Sequence, residues 1–414
     1  MRGPPGPAPP KSWLTSSIHA PKHLRDRARV AAAQRAAPDR LDRLPGSNIP
    51  DKSSLLHHCL KAIARDWKWH VEYDQYYLAT MPVTVKATLL SYIAVYSDGD
   101  GLDIDGLRTL FLDDTELHGA TGSEEIKHLD LAGSVGQSIT FKQLEQYFAN
   151  CTSTPENPPP PSQAPATDEI DSWEAEADTI LSQPLHTSRF PNLTHLSLSH
   201  PSPTTSWPRF LAFAPHLATL THLSLAYWPT PCLTPNAKTT TTSSKYSPSV
   251  SYGCSNFYSA SEGDWSEAAG VLMRLSRATY CLKWLDLEGC GEWLAALKWE
   301  GESGGGVEWC GGWRGMETVR VHAGWIPEDM VSLTVCDERE GGKGTKTQYH
   351  TPEGAESLGW DVEDERRKYH MRQDVIAWQQ VHTEARAVEA WVRSKRRLIG
   401  GLRITFEDDR ERIK

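Results

Sequence analysis

Six stretches of the chain repeat one spacing of apolar residues. They are Leu107-x-x-Leu110-x-Leu112, Ile126-x-x-Leu129-x-Leu131, Leu193-x-x-Leu196-x-Leu198, Leu220-x-x-Leu223-x-Leu225, Leu282-x-x-Leu285-x-Leu287 and the weaker Met316-x-x-Val319-x-Val321. Side chains along a strand alternate between faces, so the apolar residues point to one side and those between them to the other. The second set is His195, Ser197 and Ser199; His222, Ser224 and Ala226; Trp284, Asp286 and Glu288; Thr318, Arg320 and His322. Stacking the rungs sets Asp286 beside Arg320.

Helical spacing fills much of the rest. Leu56, Leu60, Ile63, Ala64 and Trp67 recur every three or four residues, with Asp51 and Ser53 as candidate caps. A second helix is predicted from about Val83 to Tyr96, with Pro82 at its start. Ala268, Val271, Leu272 and Leu275 mark a helix that leads straight into the fifth rung. After residue 362, Trp378, Val381, Ala385, Val388 and Val392 form the apolar stripe of a long helix.

Strand followed by helix, repeated, predicts an α/β fold: an irregular solenoid with helical caps that shield its open ends. The expected organisation is a disordered basic Pro/Arg/Ala-rich tail over 1–46 and a helical cap over 47–104. The ladder covers 105–336, with inserts near 152–169 and 230–253 whose Pro/Ser/Thr composition disfavours ordering. A flexible loop (337–361), the long C-terminal helix (362–400) and a charged tail (401–414) complete it.

Composition narrows the function classes. A net charge of -10 over 414 residues argues against general attraction to nucleic acid. Residues 1–46 nevertheless carry nine Lys/Arg against three Asp and partly resemble an organelle presequence, although five prolines crowd the first ten positions. The eight cysteines form no C-x-x-C pair, which fits reduced thiols rather than a zinc site. No apolar run reaches the roughly 18–20 residues of a transmembrane helix. The expected location is therefore intracellular, cytoplasmic or nuclear, with the mitochondrion as an alternative.

No motif supplies catalytic chemistry. "SDGDGLDIDG" brings Asp98, Asp100, Asp103 and Asp105 together, yet neither glycine register of a calcium loop places ligands at its first and twelfth positions. Gly-x-Ser-x-Gly and His-Glu-x-x-His are absent, and the glycines of 301–306 precede no phosphate-binding Lys-Ser/Thr. No cofactor, metal or catalytic residue is expected. Trp284, Trp293, Trp299, Trp309, Trp313 and Trp325 cluster around the last two rungs, where tryptophan serves either as core filler or as a binding anchor. "RSKRR" (393–397) reads as a helix C-terminus or a weak nuclear signal.

The rungs "NLTHLSLSH", "TLTHLSLAYW" and "LKWLDLEGCGEW" resemble the leucine-rich repeat family, over roughly residues 105–325. The rung separations of 19, 67, 27, 62 and 34 residues depart from the family's roughly 20–29. The wider chain, including "LPGSNIPDKSSLLHHCLKAIARDW", is also similar to filamentous-fungal proteins sometimes labelled tafazzin, a mitochondrial phospholipid transacylase family. That likeness implies a His-x4-Asp dyad, but His70 and His370 have their Asp one position too early.

The resemblance to leucine-rich repeats implies a non-enzymatic intracellular scaffold that binds a protein partner on its concave strand face. The candidate partner-binding residues are His195, Ser197, His222, Ser224, Trp284, Asp286, Glu288, Arg320 and His322. A tafazzin-like lipid enzyme with peripheral membrane contact and a nuclear factor using the basic tail are the alternatives.

Overall fold

A computed structural model describes residues 40–97, 101–149, 189–202, 205–233, 240–244, 247–252, 264–300, 306–325, 327 and 358–407. The chain starts its regular structure with four helices: α1 (Leu55–Arg65), α2 (Trp67–Tyr73), α3 (Gln75–Thr80) and α4 (Val83–Tyr96). Ser54, rather than Asp51 or Ser53, caps α1, its hydroxyl accepting from His57 N at 3.1 Å. Pro82 stands at the N-cap of α4, where a missing N–H costs nothing. Helix α4 buries Leu89, Leu90, Tyr92 and Ile93, and even Lys86, whose ammonium donates to Ala79 O at 2.8 Å.

The first expected rung is not a strand. Leu107 and Leu110 lie on helix α5 (Ile104–Leu110), where both are buried. A three-residue spacing of leucines also fits one helical turn, and Asp103 decides the matter by accepting from Gly106 N at 2.8 Å as an N-cap. That bond also gives Asp103 a structural role in the acidic stretch. Asp98 and Asp100 lie outside the described residues.

The centre of the molecule is a parallel sheet of strands β1 (His128–Asp130), β2 (His195–Ser197), β3 (His222–Ser224), β6 (Trp284–Asp286), β7 (Thr318–Arg320) and β8 (Thr405–Glu407), hydrogen-bonded in that order. Strands β4 (Thr240–Ser244) and β5 (Ser247–Tyr252) form a separate antiparallel hairpin, so the insert expected to lack structure at 230–253 has some. The other expected insert, 152–169, and the loop up to 357 lie outside the described residues. Strand β8 comes from the segment read as a charged tail.

The register is uniform. Leu129, Leu196, Leu223, Leu285, Val319 and Phe406 align across the sheet, the first five fully buried. Past each strand the pairing continues: the N–H groups of Leu131, Leu198, Leu225, Leu287 and Val321 donate to Ser197, Ser224, Asp286, Arg320 and Glu407 at 2.8–3.0 Å.

Helices α6 (Phe141–Ala149), α7 (Trp207–Phe213) and α8 (Ser266–Ala278) supply the layer that packs with these leucines. Phe141, Phe210 and Trp207 meet Trp228, and Trp207 meets Trp293, with ring centroids 4.7–6.1 Å apart. Trp293, Trp309 and Trp313 are thus core, each nearly inaccessible. Their indole N–H groups donate to Trp228 O, Leu297 O and Thr279 Oγ1, as burial of an indole requires.

Helix α9 (Leu358–Ile399) lays Trp378, Ala385, Val388 and Val392 against the body, next to the 3-10 segment Gly291–Lys298 and β8. A side chain at Gly291 would collide with Val381, so the absence of a Cβ there permits the approach. Near the helix end, Arg396 is buried and donates to the carbonyls of Trp309, Trp313, Met316 and Leu402 at 2.5–3.2 Å.

Candidate functional site

The sheet face opposite the leucines is organised in columns. In the first column His128, His195, His222, Trp284, Thr318 and Thr405 occupy equivalent positions. The imidazoles of His128 and His195 stack with centroids 4.0 Å apart, and those of His195 and His222 at 3.9 Å with planes 9° apart. Trp284 continues the row, 6.0 Å from His222. Each of His195 and His222 is fixed by its preceding threonine: Thr194 Oγ1 and Thr221 Oγ1 lie 2.8 Å from the respective Nδ1.

Partial burial, followed by the two flanking imidazoles, pushes the His195 pKa down to about 3. His128 and His222 are also lowered, mainly by burial. The stack is therefore neutral near pH 7. Its three rings remain half-buried and so present an exposed aromatic edge.

The second and third columns carry the charge. Asp130, Ser197, Ser224, Asp286, Arg320 and Glu407 align in the second; Ser199, Ala226, Glu288 and His322 follow two residues beyond the second-column residue of their rungs. Asp286 does stand beside Arg320, but the nearer partner of the guanidinium is Glu288, at 2.9 Å against 4.0 Å. Ser224 Oγ donates to Asp286 Oδ2 at 2.8 Å, and Ser91 of α4 donates to Asp130 Oδ2 at 2.8 Å.

All nine candidate residues thus lie on one face of one sheet, although only His195 and His222 are more than about a tenth exposed. Ser197, Ser224, Trp284, Asp286, Glu288, Arg320 and His322 are buried.

Part of what buries them is the segment 40–46. Arg40 Nη1 lies 3.3 Å from Glu288 Oε2, Arg43 Nη2 lies 3.5 Å from His200 Nε2, and His128 Nε2 lies 3.3 Å from Pro45 O. Leu44 is buried too. Sequence patterns missed this segment, because its few apolar residues have neither helical nor strand period.

Two non-glycine residues with left-handed backbone sit beneath it, His200 (φ 54°) and Tyr227 (φ 61°), at the turn position that glycine fills in the rungs of Gly133 and Gly289. Their rings are 4.2 Å apart, and Tyr227 Oη donates to Gly324 O at 2.8 Å. A Cβ on Gly289 would strike the Tyr227 ring. Burial drives the His200 pKa down to about 2, with the Arg43 charge adding to the shift.

One position further along, side chains reach back across the ladder. Trp228 Nε1 donates to Leu198 O at 2.7 Å, and Cys290 Sγ to Leu225 O at 3.3 Å. Cys290 extends the spacing to Leu282-x-x-Leu285-x-Leu287-x-x-Cys290, a signal legible in the sequence.

Beside β1 an open cleft of about 700 Å³ lies between residues 44–49, helices α1 and α4, and the strand. Among the described residues no group of three or more His, Cys, Asp or Glu side chains is placed to hold a metal ion, and no helix is long and apolar enough to cross a membrane. No family model matches the chain, and neither the curated proteins nor the solved structures contain a significant match.

Proposed function

We propose that the chain is a leucine-rich-repeat-like solenoid that binds a protein partner on its strand face. The observation that carries this reading is the in-register row of half-buried imidazoles, His128, His195 and His222, continued by the buried ring of Trp284, along a face whose leucines are all turned the other way. A flat ladder of rings, preorganised by the sheet and held by Thr194 and Thr221, loses little side-chain freedom on contact.

The repeat reading is supported by the unbroken N–H ladder and by the reach of Trp228 and Cys290 to the preceding rung's carbonyls. These contacts tie successive rungs to one another. Irregular separations are then insertions between rungs, which such stacks tolerate on their connecting segments.

The test is a quantitative pull-down from native extract with the wild type and a His195→Ala/His222→Ala variant. Both positions are half-buried, so the variant is expected to fold. Loss of one protein from the variant, with the remaining profile constant, is the expected result; two identical profiles would overturn the reading.

A further inference from the structure

The strand face is already filled by the chain itself, and the chemistry of the filling defines a ligand. From β6 to β1 the sheet advances three strands, about 14 Å at ~4.8 Å per step. Arg40, Arg43 and Pro45 touch Glu288, His200 and His128 in that order, so the segment passes from the β6 side of the sheet to β1. Residues 40–45 therefore cross the strands, bending at Leu41 and Leu44 and turning at Pro45–Gly46.

We propose that this face recognises a peptide of the form Arg-x-x-Arg-Leu-Pro, that residues 40–45 occupy the site in cis, and that a protein partner presenting the same chemistry displaces them. This rests on the reading of the strand face as a recognition surface. Glu288 receives the first arginine while it also holds Arg320. The second arginine lies against His200, itself stacked on Tyr227. Both of these residues have left-handed backbone, and such conformations concentrate at ligand clamps. Leu44 is buried at the cleft that Asp130 also lines, and His128 engages the proline carbonyl.

The segment is also built to leave. Its backbone hydrogen bond, from Ser47 N to Leu44 O, stays within residues 44–47, and the leucine core packs on the other side of the sheet. Arg40 keeps 23% of its side chain exposed. What holds the segment in place is side-chain chemistry that another peptide can copy.

The experiment introduces a protease site between Asp51 and Lys52, both exposed, so that cutting turns residues 1–51 into a separate peptide without removing any of them. A fluorescent peptide of residues 37–50 is then titrated by anisotropy against the intact and the cut protein, with circular dichroism confirming that both are folded. The expected result is binding to the cut protein alone, weakened about tenfold by Glu288→Gln and by Arg40→Ala in the peptide.

Equal binding to the intact protein, or none to the cut protein, would overturn the proposal. If the intact chain captures a partner through His195 and His222 while the cut chain ignores the peptide, the strand face still binds but its ligand is not this peptide. If the peptide binds and no partner is captured, the reading of function fails instead.

Discussion

Arg40 and Glu288 stand 248 positions apart in the sequence and 3.3 Å apart in the fold. Glu288 simultaneously holds Arg320 at 2.9 Å, so one carboxylate ties a segment preceding the helices to the fourth and fifth strands of the sheet. Removing it leaves the buried guanidinium of Arg320 with the longer ion pair to Asp286, at 4.0 Å. Glu288→Ala is therefore expected to cost about 3–5 kcal/mol, the range for breaking one side of a buried pair. Urea denaturation measures it, and a loss under 1 kcal/mol would show the pair to be peripheral.

Arg396 is the corresponding clasp at the other end. Its guanidinium satisfies four carbonyls from the loop before β7, from β7's approach and from the turn into β8. Lysine cannot reproduce that fork. Arg396→Lys should accelerate amide hydrogen exchange in residues 402–407 and the last turns of α9, while exchange in β1–β3 stays unchanged; uniform acceleration would refute a local clasp.

The leucine row carries the sheet. Leu285→Ala, at a fully buried position, should destabilise by about 2–5 kcal/mol. Leu55→Ala, 79% exposed on α1, should fall within about 0.5 kcal/mol of wild type. Thermal melts of the two variants side by side decide it, and equal effects would contradict the assignment of faces.

Acid should weaken the fold through the stacked imidazoles. In the native state His195 stays neutral down to about pH 3, while in the unfolded chain it takes up a proton near 6.5. Between those values the unfolded state binds more protons, so stability falls as pH falls through that window. The groups that set this balance are His128 and His222 from the neighbouring strands, with Lys127, Lys283 and Glu317 alongside. The urea midpoint should drop more between pH 7 and pH 5 for wild type than for His195→Gln. Parallel drops would remove the stack from the account.

Much of this architecture was legible in the spacing of leucines, and the register of Asp286 against Arg320 followed from it. The helix over Val83–Tyr96 followed equally directly, because Pro82 marks its start. Leu107-x-x-Leu110 misled because three-residue spacing belongs to helices as much as to this motif, and only the cap at Asp103 separates them. Strand β8 escaped because Arg403 stands where its rung would carry the first leucine. The burial of Glu288 and Arg320 was invisible for another reason: residues 40–45 are held by long-range side-chain contacts, and these leave no local period.

The most direct test of the strand face as a binding surface is site-specific photocrosslinking in native extract. A photoreactive phenylalanine analogue replaces His195 in one protein and Arg274, exposed on the outer face of α8, in another. The account predicts a discrete crosslinked protein from position 195 and none from 274. The same crosslink from both positions, or from 274 alone, would contradict it.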